Sequence, residues 1–395
     1  MKLINYTAMA CLTLCSCHVF GQTSFTNGVN SLEISGVITA IYKYRFLDSS
    51  NPDNHVGNNI SNPLNRKKNV FNLNNARLNI QGTKGTRWSY RVQADLAQLG
   101  FSSASGEFPA IADGWIAYKA MTGLRITLGY HKLPYSANSN ASLETQPYWQ
   151  RAEITRGGIF SRRDVGLTIK KSFLGERINL FAGVYSGMGE YILTSTSGGD
   201  NDANGKPEFI GRLELSTSKL NYNDIYDVHK TQSPLFNIGI NGRYAERTKS
   251  LPGLADYDLK IVNGTKKTIG ADAAFAFMGV SAQFEIHQLI ITPKGNDTIR
   301  LQGKNTSHFN AGGLLAQLNY YQRKYKSGIY VRYDNLIPND LIQNNKEQTL
   351  SFGYNYFMSG SKSMLKIQYM DRLDKKNLTL LRQSDEIRIG WQLVF

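Results

Sequence analysis

The feature that most constrains this chain is a period of two that returns, segment after segment, as far as the last residue. In 386–395, Ile387, Ile389, Trp391, Leu393 and Phe395 fall on one parity, while Glu386, Arg388, Gly390 and Gln392 fall on the other. Successive side chains of a strand point to opposite faces, so such a segment is a half-exposed β-strand with one apolar and one polar side. A soluble strand can alternate in the same way, but an apolar face running to a free end in water is an aggregation hazard. Against lipid the same face is stable, with its terminal aromatics at the membrane interface.

The alternation recurs near 34–44, 76–82, 88–96, 111–119, 124–131, 163–171, 177–186, 208–217 and 234–244. It continues near 267–277, 280–288, 312–321, 327–334, 347–357, 363–370 and 384–395. The connections alternate between long stretches, such as 45–75 and 132–162, and tight turns, such as 120–123 and Met278-Gly279. Long loops at one end and short turns at the other are the pattern of a membrane barrel. The fold class expected is therefore all-β: a transmembrane antiparallel β-barrel of about sixteen strands, with long extracellular loops and short periplasmic turns. One connection breaks the pattern, because 218–233 falls at the short-turn end and is long; it is either an inward segment or a sign of a misplaced strand.

A mean hydropathy of −0.35 does not count against a barrel, since alternation hides the lipid face from averages. No apolar run of about 18 residues interrupts the body of the chain, which excludes helical membrane spans. A soluble sandwich or propeller would also give short strands and turns. It would not place Trp88, Tyr90, Tyr118, Tyr130, Tyr333, Tyr354 and Tyr356 on the apolar parity near strand ends.

Residues 1–21 read as an export signal peptide, with Lys2, an apolar stretch from about Met9 to Phe20, and Val19-Phe20-Gly21 as the cleavage pattern. The barrel domain then spans 22–395. Cys11, Cys15 and Cys17 all fall in the leader, so the mature chain would have no disulfide or thiolate metal site. A lipoprotein reading, with an acyl anchor at Cys17, is the alternative for this segment. Of 45 basic residues only Lys2 lies in the leader, and no acid does; the mature chain carries 44 basic against 30 acidic residues, or +14. A basic excess attracts nucleic acid, anionic lipid or small anions, and export disfavours nucleic acid.

Parity also lists the inward face. Arg77, Arg91, Lys119, Arg125, Lys170 and Arg212 fall on the polar side of their segments, as do Asp95, Asp113 and Asp164. A guanidinium facing lipid at mid-depth costs about 2 to 4 kcal/mol, so the polar parity must face the lumen. A lumen lined more by cations than by anions concentrates anions. Each arginine could equally pair with Asp95, Asp113, Asp164, Glu214 or Glu285 and stiffen the wall. The long connection from Lys132 to Arg163 carries Lys132, Arg151, Arg156, Arg162 and Arg163, against Glu144 and Glu153. Its aromatics Tyr135, Tyr148, Trp149 and Phe160 could pin it inside the barrel as a constriction; folded outward it would be a surface loop.

At these residues the chain resembles the phosphate-selective porin O and P family of bacterial outer-membrane channels. The runs that carry the likeness are N72-L-N-N-A-R-L-N-I-Q-G, W88-S-Y-R-V-Q-A-D-L, D113-G-W-I-A-Y-K, L124-R-I-T-L-G-Y-H-K-L-P-Y135, R163-D-V-G-L, F181-A-G-V-Y-S-G and F209-I-G-R-L. The resemblance covers about 34–217; beyond that, only the strand pattern and the terminal aromatic agree. It implies a sixteen-stranded water-filled channel in the outer membrane, compatible with a homotrimer, in which inward loops and basic residues guide small anionic solutes such as phosphate or polyphosphate. The matching cations are Arg77, Arg91, Lys119, Arg125, Lys132, Arg163 and Arg212. Trp391 and Phe395 likewise resemble the terminal signal read by the barrel-insertion machinery. A general, non-selective porin remains the alternative.

Asp200, Asp202 and Asn204 open with the spacing of a calcium loop, D-x-D-x-N-G, but the twelfth position is Gly211, so the bidentate Glu is missing. An ordinary surface loop is the simpler reading, and no cofactor is otherwise expected. A barrel enzyme such as a lipase would need Ser, His and a carboxylate converging at one rim. Ser281 and His287 share parity but lie about 20 Å apart along a strand, too far to react. A transporter with a plug and about 22 strands exceeds this length.

Overall fold

The computed structural model describes residues 23–46, 69–98, 111–142, 146–155, 161–187, 189, 205–217, 226–247, 264–293, 299–301, 304–306, 308–341, 346–373 and 385–395. Residues 1–21, read above as a signal peptide and including Cys17, the calcium candidates Asp200, Asp202 and Asn204, and Arg156 lie outside the described residues.

Sixteen strands form one closed antiparallel barrel. They are β1 (Asn30–Arg45), β2 (Asn69–Lys84), β3 (Trp88–Asp95), β4 (Ile111–Met121), β5 (Leu124–Lys132), β6 (Arg163–Phe173), β7 (Ile178–Tyr185) and β8 (Glu208–Ser216). There follow β9 (Leu235–Arg247), β10 (Gly264–Phe277), β11 (Val280–Pro293), β12 (Phe309–Gln322), β13 (Ser327–Ile337), β14 (Glu347–Ser361), β15 (Ser363–Arg372) and β16 (Glu386–Val394). Each strand pairs with its sequence neighbours, and β16 closes on β1 with Ile389 opposite Tyr42 and Leu393 opposite Ile38. Closure leaves no barrel edge to be satisfied, which is what allows a sheet to stand in lipid.

Solvent exposure is inverted relative to a water-soluble protein. Ile269 is 65% exposed and Ile240 54%, while Arg332 and Lys366 are each 1% exposed. In water that distribution would be ruinous; it is favourable when the outer surface meets hydrocarbon and the inside is polar. Along β13 the burial alternates at nearly every residue, with Tyr330, Arg332 and Asp334 buried and Ile329 exposed. The alternation read from the sequence is thus the barrel wall itself.

Short turns close one end. Met278 and Gly279 join β10 to β11 with φ of 51° and 90°, the double positive φ that a two-residue hairpin of primed type requires. The connection 217–234 is the exception at this end. Both flanking strands lie where the alternation places them, and of the described residues between them Tyr226 and Asp227 are buried inside the barrel.

The two ends of the described chain meet along β1. Gly36 N donates to Phe395 O at 2.6 Å and Phe395 N donates to Gly36 O at 2.9 Å. A further short strand, Thr23–Asn27, pairs with β1 from Ile34 to Asn30, continuing the line that Phe395 leaves. The Phe395 ring covers Gly36 so closely that a Cβ there would lie 2.5 Å from it. Trp391 faces outward, with Nε1 donating to Ser363 Oγ at 2.9 Å.

Candidate functional site

The described residues of the connection 133–162 lie inside the barrel, and they are held in two different ways. Near its root Leu133, Tyr135, Ala152 and Ile154 pack with Tyr185, Ile210, Leu289, Ile291, Phe309, Ala311 and Leu315 of the wall. These wall residues are apolar although they point inward, because the loop removes them from water. A single helical turn, Ala137–Asn140, is fixed to β11 by one carboxylate: Glu285 accepts from Ser136 Oγ at 2.6 Å and from Asn138 N at 2.5 Å. Ser136 caps that turn by accepting from Ser139 N at 2.9 Å. Burial pushes the Tyr135 hydroxyl up to about 12, so it stays protonated, and the Arg243 guanidinium lies 4.7 Å from its ring centre.

The tip is held by polar side chains of the opposite wall. Lys366 Nζ donates to Gln146 O at 2.6 Å, Asn355 Nδ2 to Pro147 O at 3.0 Å, and Arg332 Nη1 to Gln150 O at 2.8 Å. Arg388 Nη1 donates to Gln150 Oε1 at 2.7 Å. Tyr148 lies under Arg332, and Trp149 under Lys366. On the return, Glu153 N donates to Asp334 Oδ1 at 3.3 Å and Glu153 pairs with Arg372 at 3.6 Å. The loop therefore reaches from β5 across the interior to β13–β16.

The cations singled out by parity fall into distinct settings. Arg77 pairs with Asp95 at 2.8 Å; Arg163 and Arg91 share Asp113 at 3.0 and 3.7 Å. Arg212 is clamped by Asp272 at 2.5 and 2.8 Å and reaches Glu214 at 3.3 Å. Lys132 Nζ donates to Asn140 O at 2.7 Å, tying the helical turn to β5. Arg151 is buried within the loop and donates to the carbonyls of Asn138, at 3.1 Å, and Ala141. Burial, and then Arg162 beside it, pull the Arg151 guanidinium down to about 9, which still leaves it cationic at neutral pH. Arg162 lies at the loop's return, its carbonyl accepting from Leu133 N at 2.8 Å.

Lys119, Arg125 and Lys170 are set differently. They are direct cross-strand partners, Lys119 opposite Arg125 and Arg125 opposite Lys170, close to the short turn between β4 and β5. Among the described residues no acid forms a salt bridge with any of the three. Their neighbours are aromatic: Arg125 lies 5.1 Å from the Trp115 ring centre and Lys170 5.5 Å from that of Phe181. A cavity of about 640 Å³ opens here beneath the loop, lined by Arg125, Lys132, Lys170 and Arg212 together with Glu176 and Glu214.

Two features of this interior escaped the reading of parity. Leu289-Ile290-Ile291 and Leu314-Leu315 break the alternation with consecutive apolar residues, the signal of a strand buried on both faces. Tyr226 was marked only by the anomalous length of its connection, and Asn355 only by its polar parity between Tyr354 and Tyr356; neither signal named a partner.

The phosphate-selective porin O and P model matches residues 55–395. The chain belongs to that family. Solved structures agree on the fold. OmpF of Salmonella typhi, solved in complex with daunomycin, superposes with a TM-score of 0.60 at 10% identity, covering 94% of this chain and 100% of its own. The outer-membrane channel DcaP of Acinetobacter baumannii gives 0.57 at 12% identity, again covering 94% and 100%. A loop-deletion form of OmpT of Vibrio cholerae gives 0.57 at 9% identity, covering 93% and 100%. A search of curated protein sequences finds no match. This porin thus stands in the outer membrane, its apolar belt in lipid and its polar face around the channel. In such barrels the short-turn end faces the periplasm. The three-cation row therefore lies at the periplasmic side of the inward loop.

Proposed function

We propose that this porin is an anion-preferring, water-filled channel for passive diffusion of small solutes such as phosphate or polyphosphate. The observation that carries the reading is the row Lys119, Arg125 and Lys170. Like charges directly opposite one another in a sheet are destabilising, so three adjacent cations oppose the folded state unless a mobile anion offsets them. In a narrow passage with low-dielectric walls such a row raises the local anion concentration and repels cations. The guanidinium of Arg125 offers a fork of donors matched to an oxyanion, and the two ammonium groups act as point charges beside it. Because the loop's packed root and tip lie along β7–β16, the path for solute runs between the loop and the wall from β1 to β6.

A second reading has its own support. Glu176 and Glu214 line the same cavity, and Arg77, Arg91, Arg163 and Arg212 are already neutralised by acids. That arrangement suits a general porin with weak selectivity.

Reversal potential in planar bilayers under a KCl gradient separates the two. The expected sign is that of chloride permeation, and added phosphate or pyrophosphate should reduce the chloride current. Cation selectivity would overturn the proposal; anion selectivity without block would leave a general anion porin.

A further inference from the structure

The connection 217–234 lies at the periplasmic end, where the other described turns are tight. After Thr217 its described part resumes at Tyr226, which is 3% exposed and packs edge-on against Phe357 at 5.4 Å, with Tyr321 at 6.4 Å. Both partners are inward residues of the wall, on β14 and β12. The Tyr226 hydroxyl accepts from Asn355 Nδ2 at 2.9 Å, and the same Nδ2 donates to Pro147 O of the loop tip at 3.0 Å. One amide on β14 therefore joins two inward segments that arrive from opposite ends of the barrel.

The segment is built to stay there. Asp227 accepts from Gly279 N at 2.7 Å, which ties it to the turn between β10 and β11, and from Thr231 N and Oγ1 at 2.9 and 2.6 Å. Opposite the ring, β13 carries Gly328, where a Cβ would lie 2.5 Å from Tyr226 Cε1. Gly328 is not among the positive-φ residues, so any side chain could adopt its backbone; the Tyr226 ring is what excludes one.

We infer that Tyr226 is a positioning residue for the inward loop, and that with Val228 it makes a second inward element which packs into the β12–β15 sector from the periplasmic side. With the loop tip above and Tyr226 below, that sector is occupied along its length. Solute is confined to the other wall, where the cation row lies. The inference concerns where solute passes, and it holds whichever ion the channel prefers.

Gly328→Ala and Tyr226→Ala test it from opposite directions, one by crowding the ring and the other by removing it. Both are expected to raise single-channel conductance roughly twofold, with frequent sub-levels, as a blocked sector reopens. Tyr226→Phe keeps the packing and loses only the hydroxyl; it should keep the main conductance level and add sub-levels as the loop tip loosens. Retained heat-modifiable mobility on gels identifies folded barrels. Folded Gly328→Ala or Tyr226→Ala channels with wild-type conductance would overturn the inference. If neither variant folds, Tyr226→Phe decides it: a wild-type current trace would overturn it, and added sub-levels would support it.

Discussion

Four cations stand on one rung of the inner wall, and the wall treats them in two ways. Lys119, Arg125 and Lys170 are consecutive neighbours across β4, β5 and β6 with no acid bridged to them among the described residues. Beyond Phe181, the next position on the same rung is Arg212, held by both oxygens of Asp272 and by Glu214. Arg212 also approaches the carbonyl of Tyr135, at 3.5 Å, so its charge is committed to the root of the inward loop. The same side-chain type thus serves as scaffold where it is clamped and, in the function proposed, faces solute where it is not. A count of lumenal arginines cannot distinguish the two.

Breaking the clamped half should have the largest effect. The side chains of Arg212 and Asp272 are 2% and 1% exposed, so Asp272→Ala takes the bidentate carboxylate away from a buried guanidinium. Removing one member of a buried pair destabilises by about 3 to 5 kcal/mol. The measurement is urea unfolding of the barrel in lipid vesicles, with Asp272→Asn as the milder companion. Wild-type stability in both variants would mean that the clamp is incidental to the loop's position.

The other half should respond in function and barely in stability. Lys119→Glu, Arg125→Glu and Lys170→Glu combined replace three repelling cations by three repelling anions at cross-strand positions that water reaches. Pairwise terms of this kind are worth about 0.2 to 1 kcal/mol, and the two arrangements repel alike. Reversal potential under a KCl gradient should change sign, with folding unaltered. A triple variant that stays anion-selective would move the selectivity elsewhere, to the loop or to the extracellular mouth.

The contrast also explains what the sequence could and could not convey. The strands were legible because lipid outside and water inside impose a period of two on every span; the segment read near 280–288, for instance, lies within β11 at Val280–Pro293. The adjacency of Lys119 and Arg125 was nearly legible too, since a two-residue turn brings them together. The clamp on Arg212 was not, because Asp272 reaches it from two strands away, by way of β9. Leu289, Ile291 and Leu315 point inward although apolar, since the loop that covers them is remote in sequence. Tyr226 depends on the same kind of tertiary partner: an anomalous connection length marked its segment, and only the wall around Asn355 and Gly328 gives it a place.

The smallest expected effect is also the one that sharpens the contrast most. Charge on the open row acts through water, where the Debye length is about 10 Å at 0.1 M salt and about 3 Å at 1 M. Selectivity that arises from the field of Lys119, Arg125 and Lys170 should therefore weaken when the same KCl gradient ratio is set around 1 M instead of 0.1 M. The buried Arg212–Asp272 clamp is screened far less, so the loop should hold its position and conductance should simply scale with salt. Selectivity that persists unchanged at 1 M would mean that the anion sheds water and is held at close range, with Trp115 and Phe181 walling the site. That outcome would turn the row from a field into a binding step.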